Sequence, residues 1–211
     1  MTKDLPRLKN QRTMSTRENI LKALRQNVRE TYDMPDLSRI QAIEFDDPLA
    51  QFKLKATTTA GAQLLEKGED ETLDDIVRRA YPDAKVIASN LPGVTAQLNP
   101  DTVSEAQELA AADVGVVRGE IGVAENACIW IPQTMKEKAI CFASEYLVIV
   151  LRKDAVVSNM HEAYAQIEGS DKYFQQYKFG TFISGPSKTA DIESALVYGA
   201  QAARGVTIVL V

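Results

Sequence analysis

Apolar positions in this chain change period part-way along. Before about residue 84 they recur at helical spacing; after it they gather into short continuous runs separated by turns. Ile20, Leu21, Leu24 and Val28 share one face of a helix. Ser15-Thr16-Arg17-Glu18 opens it as a capping box, with Ser15 as N-cap and Glu18 reaching back. Asp33–Asp47 is irregular, broken by Met34-Pro35 and Asp47-Pro48. A long helix is expected from Pro48 to Lys67, with Pro48 in its first turn, Gly68 at its end and Thr57-Thr58-Thr59 weakening its middle. Thr72 caps a shorter helix that runs to Ala80 and is stopped by Tyr81-Pro82.

Beyond this point strands dominate. The runs Lys85–Ser89, Val114–Val117, Cys128–Ile131, Ala139–Ala143, Leu147–Leu151, Thr181–Ser184 and Val206–Val211 read as strands. Helices are expected over Val103–Ala112, capped by Thr102 or Ser104, and over Val156–Ile167 and Thr189–Ala202; Leu91–Pro100 reads as loop and Gly119–Gly122 as a turn. Strands alternating with helices imply an α/β fold with a mostly parallel open sheet. The three β-runs between residues 128 and 151 predict a mixed or antiparallel portion, and the helical pattern before residue 84 an N-terminal helical segment. The organisation that follows is a disordered basic arm over 1–14, a helical segment over 15–84 packed on the core, and an α/β domain over 85–211.

Composition changes this picture mainly by exclusion. Of 211 residues 45% are hydrophobic and 25% charged, as in an ordinary globular domain. The net charge of −5 lacks the basic footprint of a nucleic-acid binder. It is uneven: residues 1–30 carry +5, leaving −10 on the rest, so the basic arm is expected to dock on an acidic body, its own or a neighbouring subunit's. Two cysteines, Cys128 and Cys141, lie in apolar runs without a C-x-x-C pair, so they read as buried inert thiols rather than as a zinc or iron–sulfur framework. No run approaches the length of a membrane span and no apolar leader opens the chain, which implies a cytoplasmic protein.

Three polar clusters carry the candidate chemistry. Arg118-Gly119-Glu120-Ile121-Gly122-Val123-Ala124-Glu125-Asn126 joins two strands, and Glu120 and Glu125 offer a nucleophile or a general base if they are not simply solvated or paired with Arg118. The second cluster is the corner Ser184–Asp191: a strand, the turn Ser184-Gly185-Pro186-Ser187, then an expected helix with Asp191 and Glu193 in its first turn. Open α/β sheets place ligands at such corners, and a helix start is an anion site; an ordinary structural turn is the competing reading. Its spacing is not that of a P-loop. The third, His161, sits among Glu162, Gln166 and Glu168 on a solvated helical face, and one histidine gives triad or metal-ligand arrangements little material. Trp130 reads as core.

The run Gly185-Pro186-Ser187-Lys188-Thr189-Ala190-Asp191-Ile192-Glu193 resembles the C-terminal signature of the lactate-utilisation protein C family, the LUD domain, which reads close to G-P-S-[RK]-T-A-D-I-E. Upstream that family carries a loop near A-E-T-G-T, and Ala124-Glu125-Asn126-Ala127-Cys128 occupies its place with Ala-Glu retained. The opening helix is similar too, so the resemblance runs from about residue 15 onward. Two family elements differ: Gly199-Ala200-Gln201-Ala202-Ala203-Arg204 stands where the family has Gly-x-His-Gly-Pro, and Ala143-Ser144-Glu145-Tyr146 where it often has Pro-x-x-His.

The resemblance implies the fold of the ribose-5-phosphate isomerase, glucosamine-6-phosphate deaminase and CoA-transferase group. It implies an accessory subunit of lactate-type organic-acid oxidation, homo-oligomeric, with no cofactor in this chain and with iron–sulfur clusters in partner subunits. A small carboxylate or phosphate is then expected at Gly185, Pro186, Ser187, Lys188, Thr189 and Asp191, with Gly119, Glu120 and Asn126 contributing; no metal is expected. Two other readings stay open. Ala124-Glu125-Asn126-Ala127 resembles the Ser-Glu-Asn-Gly loop of class I CoA-transferases, which would make Glu125 an acyl acceptor in a CoA-transferase or sugar-phosphate type enzyme. The domain is otherwise a ligand sensor or purely structural.

Overall fold

Five apolar runs lie side by side in the computed structural model, all parallel, in the order β1-β11-β6-β3-β2. They are β1 (Gln63–Glu66), β2 (Ile87–Ser89), β3 (Val114–Arg118), β6 (Tyr146–Leu151) and β11 (Gly205–Leu210). The structure describes residues 15–28, 30, 32–33, 35–36, 39–170, 179–191 and 194–211. The expected arm over 1–14 lies outside the described residues. Residues from Ala42 to Val211 form one compact unit and those before Ala42 another.

The continuous apolar character of β6 and β11 follows from burial on both faces, as parallel strands require. On one face α3 (Leu73–Ala80) sets Ile76 and Val77 against Ile87, Val116, Val148 and Val209. Phe52, Leu109, Ile140, Leu147, Ile149 and Ile208 fill the other. As expected, Thr72 caps α3, and Asp75 completes a capping box with it.

A second sheet, β7-β4-β5-β8, is mixed, but of the three runs between 128 and 151 expected to build such a portion only Cys128–Ile131 joins it, while Leu147–Leu151 lies in the parallel sheet. The mixed sheet contains β4 (Ile121–Val123), β5 (Ile129–Pro132), β7 (Val156–Val157) and β8 (Gly180–Ile183). β5 runs antiparallel to β4 and β8, while β4 runs parallel to β7. Its core is closed by Ala163 and Ile167 of α5 (Met160–Glu168). The chain crosses from the first sheet to the second at Gly119, where a Cβ would stand 2.3 Å from Ile129 Cγ2.

Several expectations are corrected here. The helix expected over 48–67 is α2 (Pro48–Lys55) and a single π turn, Ala56–Ala60, closed by Gly61 at φ 76° rather than by Gly68. Thr57 and Thr58 hydroxyls donate to the Lys53 and Leu54 carbonyls, competing with the backbone donors that an α-helix would use. Residues 63–66 then become edge strand β1. Ala139–Ala143 forms no strand: Ile140–Ala143 is a helical turn, α4, and the Ser144 hydroxyl donates to the Ile140 carbonyl. A short apolar run has no period to separate the two states. Residues 156–157 are strand, and α5 starts only after its N-cap Asn159. The helix expected over 103–112 is a 3-10 segment, Ala106–Ala111, capped at Glu105. The turn expected over 119–122 gives way to β4 at Ile121.

Helix α1 (Thr16–Asn27) carries the expected Ser15–Glu18 capping box. Ile20, Leu24 and Val28 on its apolar face are each more than half exposed. Cys128 and Cys141 are buried, and burial pushes both thiols up to about 12. Neither should react with a thiol reagent at pH 8 until the protein unfolds, when both should; fast native labelling of either would contradict this burial.

Candidate functional site

The corner after β8 is not a helix start. Residues Lys188–Thr189 (β9) pair antiparallel with Val197–Tyr198 (β10) in a two-stranded ribbon. Ile192 and Glu193 of the expected helix lie outside the described residues. Without a helix there is no dipole to favour an anion, so that physical basis for a ligand at Gly185–Asp191 lapses.

The corner's groups are instead engaged with the fold. Gly185 has φ 68°, and a Cβ there would stand 2.3 Å from the Ala60 carbonyl oxygen. Lys188 Nζ donates to that same oxygen at 2.6 Å and to the Thr59 carbonyl at 3.4 Å. The α2–π segment ends on orphan carbonyls, and the ammonium satisfies two of them where the dipole is negative. Pro186 is buried, Ser187 N–H donates to the Ala203 carbonyl at 2.9 Å, and the Thr189 hydroxyl donates to Asp191 at 3.1 Å. A cavity of about 290 Å³ opens beside the corner, lined by Phe142, Phe182, Pro186, Ser187, Lys188 and Gln201.

The loop after β4 meets this corner. Ser184 Oγ donates to the Asn126 carbonyl at 2.8 Å, joining the two blocks. The Asn126 side chain accepts from Cys128 N–H at 3.0 Å. Ala127 then takes φ 55°, the left-handed region, where the resembling family loop has glycine. Glu125 points away from the corner: its Oε1 accepts from Met160 N–H, the first residue of α5, at 3.0 Å. Asn159 Oδ1 accepts from Glu162 N–H at 3.0 Å. Between them these side chains cap the start of α5, so the carboxylate expected as a nucleophile holds a structural post. His161 is exposed on the same helix, and Trp130 is half-buried against Phe182 with ring centroids 4.9 Å apart.

Gly119 and Glu120 lie elsewhere, over the carboxyl ends of β3, β6 and β11. They line a cavity of about 310 Å³ with Arg118, Arg152, Asp154 and Val211. Arg118 is the last residue of β3 and lies beside Val150 on β6. Arg152 follows β6 and is held by Asp154 through Nε at 2.8 Å and through a second guanidinium nitrogen. That pairing keeps the Asp154 carboxyl below its ordinary range. Arg152 and Asp154 were absent from the sequence expectations, as was the role of Arg118 as a cavity wall. One signal marks the two cations: each stands directly after an apolar run that becomes a central strand.

Beside this cavity Glu66, at the end of β1, bonds Lys53 at 2.6 Å and Lys153 at 2.7 Å. Hydrogen bonds from Lys153 and then Lys53 lower its carboxyl from 4.5 to about 2. Because the folded value lies below the ordinary one, this triad's contribution is present above pH 4.5 and fades as pH falls through about 2. NMR titration should place Glu66 near 2, and Lys153→Met should raise it; an unchanged midpoint in that variant would contradict the triad. At the opposite, amino ends of β3 and β6 a recess of about 460 Å³ contains Tyr81, Asp113, Glu145 and Tyr146. Of its acidic groups Asp113 is engaged by the Lys85 and Val86 N–H groups and Glu145 by Arg204, and Asp83 also lines it.

The family model of the LUD domain matches residues 46–211, which covers both sheets, the corner and the carboxyl-end cavity. The chain belongs to the LUD domain family. Over 109 residues it is 28% identical to "Lactate utilization protein C" of Shouchella clausii (strain KSM-K16), covering 51% of this chain and 48% of that protein. The match thus spans about half the length of that curated relative. A crystal structure of a DUF162 family protein from Deinococcus radiodurans superposes with a TM-score of 0.61 at 15% identity, over 80% of this chain and 99% of the other. At that identity the likeness is one of fold, a mixed α/β domain built on a mostly parallel sheet. Among the described residues of this LUD domain no helix is long and apolar enough to cross a membrane, and no three His, Cys, Asp or Glu side chains group as metal ligands.

Proposed function

We propose that this LUD-domain protein serves lactate utilization as an accessory component that binds a small carboxylate or phosphate. In this reading it acts in the cytoplasm as a homo-oligomer, beside partner subunits whose iron–sulfur clusters carry the electrons. The observation that carries the reading is the 28% identity over 109 residues to Lactate utilization protein C, beside the LUD-domain match over residues 46–211. The chemistry of the chain is compatible with a non-redox role: its two thiols are buried and held protonated, far from the thiolate state that cluster ligation needs. The carboxyl-end cavity supports the ligand class, because guanidinium groups suit carboxylate and phosphate oxygens. Affinity purification of the tagged chain from its native host should recover iron–sulfur or oxidoreductase subunits. A clean homo-oligomer without them, from lactate-grown cells, would overturn the assignment.

A further inference from the structure

Resting on that reading, we propose that the ligand is a small hydroxycarboxylate bound over the carboxyl ends of β3, β6 and β11, with its carboxylate on Arg118 and its hydroxyl on Glu120. Parallel α/β sheets bind ligands outside the carboxyl ends of their strands, where loops diverge and the backbone leaves room. Here three adjacent parallel strands end at one cavity, and Gly119 gives part of its wall no side chain.

The charges in that cavity are not equivalent. Arg152 is balanced by the two-point contact with Asp154. Glu66 takes up Lys53 and Lys153 next to it. Arg118 is exposed, and among the described residues its guanidinium makes no hydrogen bond or ion pair. A guanidinium fork facing a cavity is the group that matches a carboxylate at two points. The corner offers no equivalent: the Lys188 ammonium serves the Ala60 and Thr59 carbonyls, and Asp191 is tied to Thr189.

Glu120 decides the second half of the ligand. It is half-buried in the same cavity wall, and the charge of Arg152 acts across the cavity between them. A carboxylate accepts several hydrogen bonds, so its existing contact leaves acceptor sites. Its charge repels any carboxylate held on Arg118, and a hydroxyl on the ligand offsets this by donating a hydrogen bond to Glu120, which a plain carboxylate cannot do. A site that bonds a hydroxyl discriminates against the analogue that lacks it.

The test is calorimetry on the full chain with L-lactate, propionate and inorganic phosphate. L-lactate should bind about tenfold or more tightly than propionate. Arg118→Gln should weaken L-lactate about tenfold or more at an unchanged melting temperature. Glu120→Gln should narrow the lactate–propionate gap, and Gln201→Ala at the corner cavity should bind as the parent does. Undiminished binding in Arg118→Gln, or loss of binding in Gln201→Ala, would overturn the site. Phosphate binding tighter than L-lactate, or no L-lactate binding, would overturn the ligand class. The co-purification result stands apart from all of these, so a wrong site and a wrong pathway role give different patterns.

Discussion

Gly185→Ala should lower the melting temperature by roughly 6–12 °C, corresponding to a loss of about 3 kcal/mol. Two terms add. At φ 68° an L side chain costs about 1–2 kcal/mol. The new Cβ would also stand 2.3 Å from the Ala60 carbonyl oxygen and 2.8 Å from its carbonyl carbon, and backbone atoms cannot swing aside as a side chain end can. Relief of that contact pulls the corner away from the end of the α2–π segment and breaks the 2.6 Å bond from Lys188 to the same oxygen. Gly93→Ala separates the terms: it has φ 82° but nothing within 4 Å of the added Cβ, so it should lose only about 1 kcal/mol. Equal losses in the two variants, read by thermal unfolding, would mean that the corner does not bear on Ala60. The result matters for function, because it separates the family signature's structural work from ligand binding.

Glu125→Ala should cost about 1–2 kcal/mol, while Glu125→Gln should stay near the parent. The carboxylate accepts from Met160 N–H at the start of α5, and the amide oxygen of glutamine can still accept where alanine cannot. Truncation leaves a part-buried donor without its partner and loosens the packing of Ala163 and Ile167 on the second sheet. Denaturant unfolding of the three proteins reads this directly. Equal stability of the alanine variant, together with a hydroxylamine-sensitive acyl adduct on the parent after mixing with an acyl-CoA, would restore Glu125 as a nucleophile.

How far the sequence reached depended on whether a segment's local signals agreed with its packing. The parallel strands were readable because β6 and β11 are apolar at nearly every position, a pattern that burial on both faces demands. α3 was readable because the Thr72 cap and the Tyr81-Pro82 stop mark both ends within the chain itself. The β9–β10 ribbon was not. Leu196 and Val197 fit helical spacing from Ile192, yet Val197 pairs across to Thr189, a strand pairing that the spacing of apolar residues does not encode. β1 was hidden for the same reason: Gln63–Glu66 is a strand only because β11 lies beside it. The corner and the 124–126 loop stand out in the sequence and Ser184 joins them, but the side chains with clear geometric roles there, Lys188 and Glu125, hold helix ends. What was missed is the cavity wall. Arg118 and Arg152 lie 34 positions apart, and only the β3–β6 pairing brings them to one edge.

The most direct measurement is growth of a strain lacking this gene, complemented with the parent chain or with Arg118→Gln. With L-lactate as sole carbon source the deletion strain should fail to grow, the parent should restore growth and Arg118→Gln should restore it poorly; all three should grow equally on pyruvate. Undiminished growth of the deletion strain on L-lactate would contradict a role in lactate utilization.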